Sequence, residues 1–63
     1  MFIEFFNYDN EYQMVRKKDI KMIYAKNFDK ENRYFMHVNF LEQSISILNQ
    51  MEFEDIVKAI ERG

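Results

Sequence analysis

The chain has 63 residues, with 9 Lys and Arg against 11 Asp and Glu, and its net charge of -2 is too balanced for a nucleic-acid condenser and too small for a mimic of DNA phosphates. With no cysteine and a single histidine, it offers no disulfide framework, no thiolate metal site and no thiol nucleophile, and zinc would lack its usual ligands. Neither a secretory signal nor a spanning helix is expected, because Glu4 interrupts the apolar start MFIEFF and no basic stretch precedes it.

There is no proline, and the one glycine is Gly63, so turns fall to Asn and Asp, which tolerate left-handed backbone or brace it with their side chains. Asn7, Asp9 and Asn10 separate MFIEFF from YQMV and predict a first hairpin. The phase of its first strand stays open: either Phe2 and Phe6 or Met1, Ile3 and Phe5 face the core. Arg16-Lys17-Lys18-Asp19 is a polar break that is either a link between strands or one helical turn.

Ile20 to Lys26 predicts a further strand, closed off by Asn27, Asp29 and Asn32. Arg33 to Phe40 follows with a period of two: Tyr34, Met36, Val38 and Phe40 on one face, Arg33, Phe35, His37 and Asn39 on the other. Ser44-Ile45-Ser46-Ile47 alternates in the same way, and the short link Leu41-Glu42-Gln43 makes it the antiparallel partner of the preceding strand.

After Leu48 the period changes. Phe53, Ile56, Val57 and Ile60 recur at i, i+3, i+4 and i+7, and Asn49 with Glu52 is similar to a capping box, so a helix is expected over about residues 50–62. Glu52, Glu54 and Asp55 near its start and Arg62 at its end suit the helix dipole. The stretch MEFEDIVKAI resembles the acidic helix start of small bacterial and phage proteins, among them a short flagellar-operon family. The resemblance covers the last quarter of the chain, lacks that family's turn glycine and implies no functional residue.

The expected fold is therefore α+β. It is one small domain over 1–63, with an antiparallel meander sheet of four to five strands over about residues 1–48 and the amphipathic helix packed on one face. A helix of about twelve residues is about 18 Å long, roughly four strands wide at about 4.8 Å each, so it can cover one face only.

Chains of about 60 residues bury only about 60% of the surface their unfolded form exposes. Without disulfides or a metal, the expected supplement is association, as a homodimer or with a larger protein. The composition agrees, at 48% apolar and 17% aromatic, with 7 Phe, 4 Tyr and 5 Met. If the helix covers Tyr34, Met36, Val38, Phe40, Ile45 and Ile47, the opposite face keeps Phe35 and His37, with Ile23 and Ala25 expected beside them. Contiguous exposed apolar patches mark interaction sites, so Phe35, His37 and Ile23 are the expected partner-binding residues.

Arg16, Lys17, Lys18 and Lys21, with Lys26, form a basic lobe, read as an electrostatic contact or as lysines that blunt an edge strand. The acidic C-terminal third is its complement, which would let two copies pair lobe to helix. RYFMHVNF resembles the aromatic RNA-binding strand of RRM domains at Arg33, Phe35, Val38 and Phe40. It departs from it at Tyr34 and Met36, where small residues belong, and at His37, where an aromatic belongs. His37 has no Ser/His/Asp companions and no glycine-braced loop, so no catalysis, metal or cofactor is expected.

The expected function is a small non-catalytic protein-protein interaction module of the cytoplasm, itself expected to be a homodimer, that docks on a larger protein and inhibits or adapts it, in its concrete form a phage-encoded inhibitor of a host or defence enzyme. The alternative is a nucleic-acid-binding sheet using Phe35 and the Arg16–Lys21 lobe. No membrane contact is expected.

Overall fold

Five strands, one 3₁₀ turn and one α-helix follow one another in a computed structural model that describes every residue from Met1 to Gly63. They are β1 (Phe2–Phe6), β2 (Tyr12–Arg16), the 3₁₀ turn Lys17–Asp19, β3 (Ile20–Phe28), β4 (Glu31–Val38), β5 (Ile45–Ile47) and α1 (Gln50–Arg62). The polar break after β2 is thus the helical turn rather than a plain link.

In the first hairpin, Asn7 does the work of a turn residue. Its Oδ1 accepts from the backbone N–H of Asp9 (3.0 Å) and of Glu11 (2.9 Å), while Asn10 takes a φ of 62°. The ladder pairs Ile3 with Val15 and Phe5 with Gln13, and this settles the open phase: Ile3 and Phe5 are buried, whereas Phe2 and Phe6 point outward.

The second hairpin corrects one expected face. β3 and β4 pair as far as Phe28 and Glu31, which leaves a two-residue turn, Asp29-Lys30, with φ of 45° and 69°. Positive φ at both central residues is the mirror-image turn whose twist matches that of the strands. A two-residue turn sets odd positions opposite even ones, so Ile23 faces Met36, Ala25 faces Tyr34, and Tyr24 faces Phe35. Ile23 and Ala25 therefore share a side with Met36, not with Phe35 and His37 as the sequence suggested. A bulge between Ile20 and Met22 lets Ile20, opposite Val38, join Ile23 on that inner side despite their odd spacing.

Phe40 is a second correction. The strand ends at Val38, where the Leu41 N–H donates to the Val38 carbonyl (3.0 Å), so Phe40 sits in a turn and is 71% exposed.

The expected single meander is divided into a two-stranded sheet, β1-β2, and a three-stranded sheet, β3-β4-β5, both antiparallel. Between β2 and β3 the chain is diverted by the 3₁₀ turn, whose Lys17 N–H is held by the Met1 carbonyl (3.0 Å) and whose Asp19 carbonyl accepts from Asn39 (2.8 Å), so no ladder forms there. The two sheets meet instead where β1 ends. A single bridge pairs Asn7 with Ile47, flanked by bonds from Tyr8 N–H to the Ser46 carbonyl (2.8 Å) and from Leu48 N–H to the Phe6 carbonyl (3.1 Å).

The helix begins as expected, with Asn49 Oδ1 accepting the Glu52 N–H (2.9 Å). The reciprocal half of the capping box is replaced: Glu52 Oε1 accepts the Phe6 N–H at 2.7 Å and ties the helix start to β1. Ile56 from α1 completes one buried cluster with Ile3, Phe5, Val15, Met36, Val38 and Ile47, and Tyr34 and Phe53 pack against it with ring centroids 4.9 Å apart. Met36, Val38 and Ile47 are thus on the helix side, where the alternation put them. No helix is long and apolar enough to cross a membrane.

Candidate interaction face

Because α1 occupies one side of the β3-β4-β5 sheet, the alternation of β3 and β4 leaves the other side uncovered. The register brings Met22 opposite His37, Tyr24 opposite Phe35, Lys26 opposite Arg33, and Phe28 opposite Glu31 on this outer side. Here the aromatic rings organise one another. Tyr24 stacks on Phe35 (5.3 Å between centroids, 23° between planes), and Phe28 meets Phe35 edge-on at 6.2 Å. The Tyr24 hydroxyl is 2.9 Å from Ser44 Oγ, which fixes its outer end. Phe35 and His37 are half-buried, while Met22 and Phe28 are 52% and 44% exposed.

Two cations border the rings. Lys26 Nζ lies 5.2 Å from the centre of Phe28, and the Arg33 guanidinium lies 3.6 Å over the ring of Tyr8 and 6.0 Å from that of Phe35. Arg33 Nη2 donates to Ser46 Oγ at 2.9 Å, and its buried Nε has no protein partner. The face is therefore an aromatic surface bordered by two cations, Lys26 and Arg33, and one acid, Glu31, suited to binding by burial and stacking.

Of the residues read from the sequence, Phe35 and His37 lie on this face, and Ile23 lies on the opposite side, packed against the core. Tyr8, Met22, Tyr24, Phe28 and Lys26 belong to the face without having been singled out for it, and Arg33 lies where the alternation of its strand placed it. The even-numbered period of Met22, Tyr24, Lys26 and Phe28 was a usable signal; its phase relative to Phe35 was the missing piece. The basic lobe does not join this face in one cleft. Arg16, Lys17 and Lys18 border a cleft of about 660 Å³ with Met1 and Phe2, and Lys17 and Lys21 border another of about 390 Å³ between β3 and α1.

The first hairpin has an outer face of its own, with Phe2, Glu4 and Phe6 opposite Arg16, Met14 and Tyr12. Phe6 and Tyr12 meet edge-on at 5.9 Å, and the Tyr12 hydroxyl donates to a Glu4 carboxylate oxygen. That bond raises the Tyr12 pKa above the ordinary 10.0, with desolvation and the charge of Glu4 acting in the same direction. The fold thus favours the protonated phenol: the contribution is complete below about pH 10 and is lost as the pH rises through the raised value. In Glu4→Gln, Tyr12 should ionise at a lower pH, visible as an earlier rise of tyrosinate absorbance. Superimposable titrations of the two proteins would show that the bond is not made in solution.

No cluster of three or more His, Asp or Glu side chains is assembled anywhere in the fold. Compared with protein-family models, curated proteins and solved structures, the chain matches none of them.

Proposed function

We propose that the chain is a small non-catalytic protein-protein interaction module that docks on a larger protein through the outer face of its three-stranded sheet. One observation carries this reading: Tyr24, Phe28 and Phe35 form an uncovered cluster whose rings already brace one another on a continuous ladder. Aromatics held in place before binding lose little side-chain freedom on docking, and central ones can each contribute more than about 2 kcal/mol. Lys26 and Arg33 at the margin set the sign of the partner surface and speed encounter with an acidic one. In its concrete form the module inhibits or adapts its target within the cytoplasm, as a phage-encoded inhibitor of a host or defence enzyme would. A second copy of the chain is a further candidate occupant of the face.

Phe35→Ala is expected to weaken partner capture by at least about tenfold, a loss of about 1.4 kcal/mol, while the helical circular-dichroism signal is unchanged. Equal recovery of the same partner by the folded variant would reject this face.

A second reading has its own support. Arg33 and Lys26 beside Phe35 and Phe28 make a stacking surface with phosphate-binding cations, the arrangement that single-stranded nucleic acids use. These two cations, rather than the Arg16–Lys21 lobe, would serve it. Neutralising phosphates requires binding that falls steeply with salt, so absent or salt-insensitive binding to single-stranded RNA and DNA would remove this reading.

A further inference from the structure

We propose that the free edge of β3 takes up an extended acidic segment of a partner protein as an added strand, with the segment's apolar side chains entering the cleft between β3 and α1. This site adjoins the Phe35 face at Met22 and Lys26 but is built on the strand edge and the helix side of the sheet rather than on the Phe35 rings.

β3 is the terminal strand of its sheet, hydrogen-bonded to β4 on one side only. None of the backbone hydrogen bonds outside the regular elements involves residues 21–28, so the far edge has no partner within the fold. The strand is nine residues long, about 30 Å at about 3.4 Å per residue, and contains no proline. An edge of this length presents a row of N–H and C=O groups that another strand satisfies directly.

The surface beside the edge is shaped for such a strand. A cleft of about 390 Å³ runs between β3 and α1, with Ile20 and Ile23 on one wall and Val57 and Ile60 on the other. Side chains alternate along a strand, so every second residue of an added segment would fall into this cleft and the rest would fall on the outer side. Lys26 lies on that outer side, opposite Arg33. Lys17 and Lys21 stand at the rim of the cleft, against a single acid, Glu61. β3 itself, IKMIYAKNF, has two lysines and no acid.

Charge selects the occupant. An acidic segment with alternating apolar residues places its carboxylates beside Lys26 and its apolar side chains between Ile23 and Val57. A second copy pairing through the same edge would instead bring its own Lys17, Lys18, Lys21 and Lys26 alongside these, and like charges on adjacent strands are destabilising.

The probe is a terminally blocked peptide of about ten residues that alternates valine and glutamate, long enough to span β3. Added to isotope-labelled protein, it is expected to shift the backbone amides of Ile20–Phe28 and those of α1 near Val57 and Ile60. Methylating all of the peptide's backbone nitrogens should abolish the shifts, because it removes every donor available for strand pairing. Replacing the glutamates by lysines, or Val57→Lys in the protein, should each weaken binding by at least about tenfold. Val57→Lys should leave partner capture through the Phe35 face unchanged, so failure here is distinct from failure of the sheet-face reading.

The proposal is overturned by no shifts at ~1 mM peptide, the weak end of specific recognition. It is equally overturned by binding that survives methylation, by equal binding of the lysine peptide, by shifts centred on Phe35, or by a salt-resistant dimer that protects the β3 edge.

Discussion

Alanine at Met36 is expected to unfold a large share of the protein at room temperature. Met36 is fully buried, lies opposite Ile23 on β3 and Ile45 on β5, and belongs to the core cluster that Ile56 closes from the helix. Cutting a buried methionine to alanine costs about 2 to 5 kcal/mol, the transfer of the lost atoms plus the cavity left behind. A lone core in a domain of this length contributes only about 3 to 5 kcal/mol in total, so the loss is comparable to the whole. The melting temperature should fall by about 8 °C or more, at about 4 °C for each kcal/mol. Met36→Leu keeps the volume and should cost less than about 1.5 kcal/mol. Urea denaturation followed by circular dichroism measures all of these. A Met36→Ala midpoint equal to that of the parent would show that the helix does not close over this side of β4.

The contrast with Phe35 makes the experiment specific. The two residues are neighbours, yet one lies beneath α1 and the other on the uncovered side. Their assignment was readable from the sequence, because a strand's side chains alternate and Met36 and Val38 are the more uniformly apolar set. The helix was readable too, since Asn49 and the spacing of Phe53, Ile56, Val57 and Ile60 are local signals.

What was not readable lies between strands. Whether Ile23 shares a face with Met36 or with Phe35 depends on the parity of the connecting turn. Asn27, Asp29 and Asn32 offered several places for that turn, and Asp29-Lys30 adopts the mirror-image conformation without the glycine that announces it. Asn27 and Asn32 turn out to face each other across the ladder, joined by a side-chain hydrogen bond of 3.1 Å. Phe40 continued the alternation on paper past the point where the chain bends. The candidate face shows the same division. Phe35 and His37 follow from their own strand, whereas Tyr8 reaches Arg33 only because β1 meets β5 at the Asn7–Ile47 bridge, a contact between distant segments.

That seam is the subject of the second large effect. The carbonyl and N–H of Phe6 are held from either side of the helix start: the carbonyl by the Leu48 N–H at 3.1 Å, before the helix, and the N–H by Glu52 Oε1 at 2.7 Å, in its first turn. The two sheets share only the one bridge, so these bonds hold the β1-β2 hairpin and the helix start in a single arrangement. Glu52→Ala removes a hydrogen bond to a charged acceptor, about 1.5 kcal/mol at the low end for a site partly open to water. It also removes a favourable charge from the first turn of α1, about 0.3 to 1 kcal/mol. The expected cost is about 2 kcal/mol, and Glu52→Gln, which keeps an acceptor oxygen but not the charge, should lose about half of it. Amide exchange separates this local effect from general loosening. In Glu52→Ala the Phe6 amide should exchange faster by more than the β4 amides do, because it has lost its acceptor as well as some global stability. If Phe6 remains as protected as in the parent, Glu52 does not join the two sheets and the seam rests on the bridge alone.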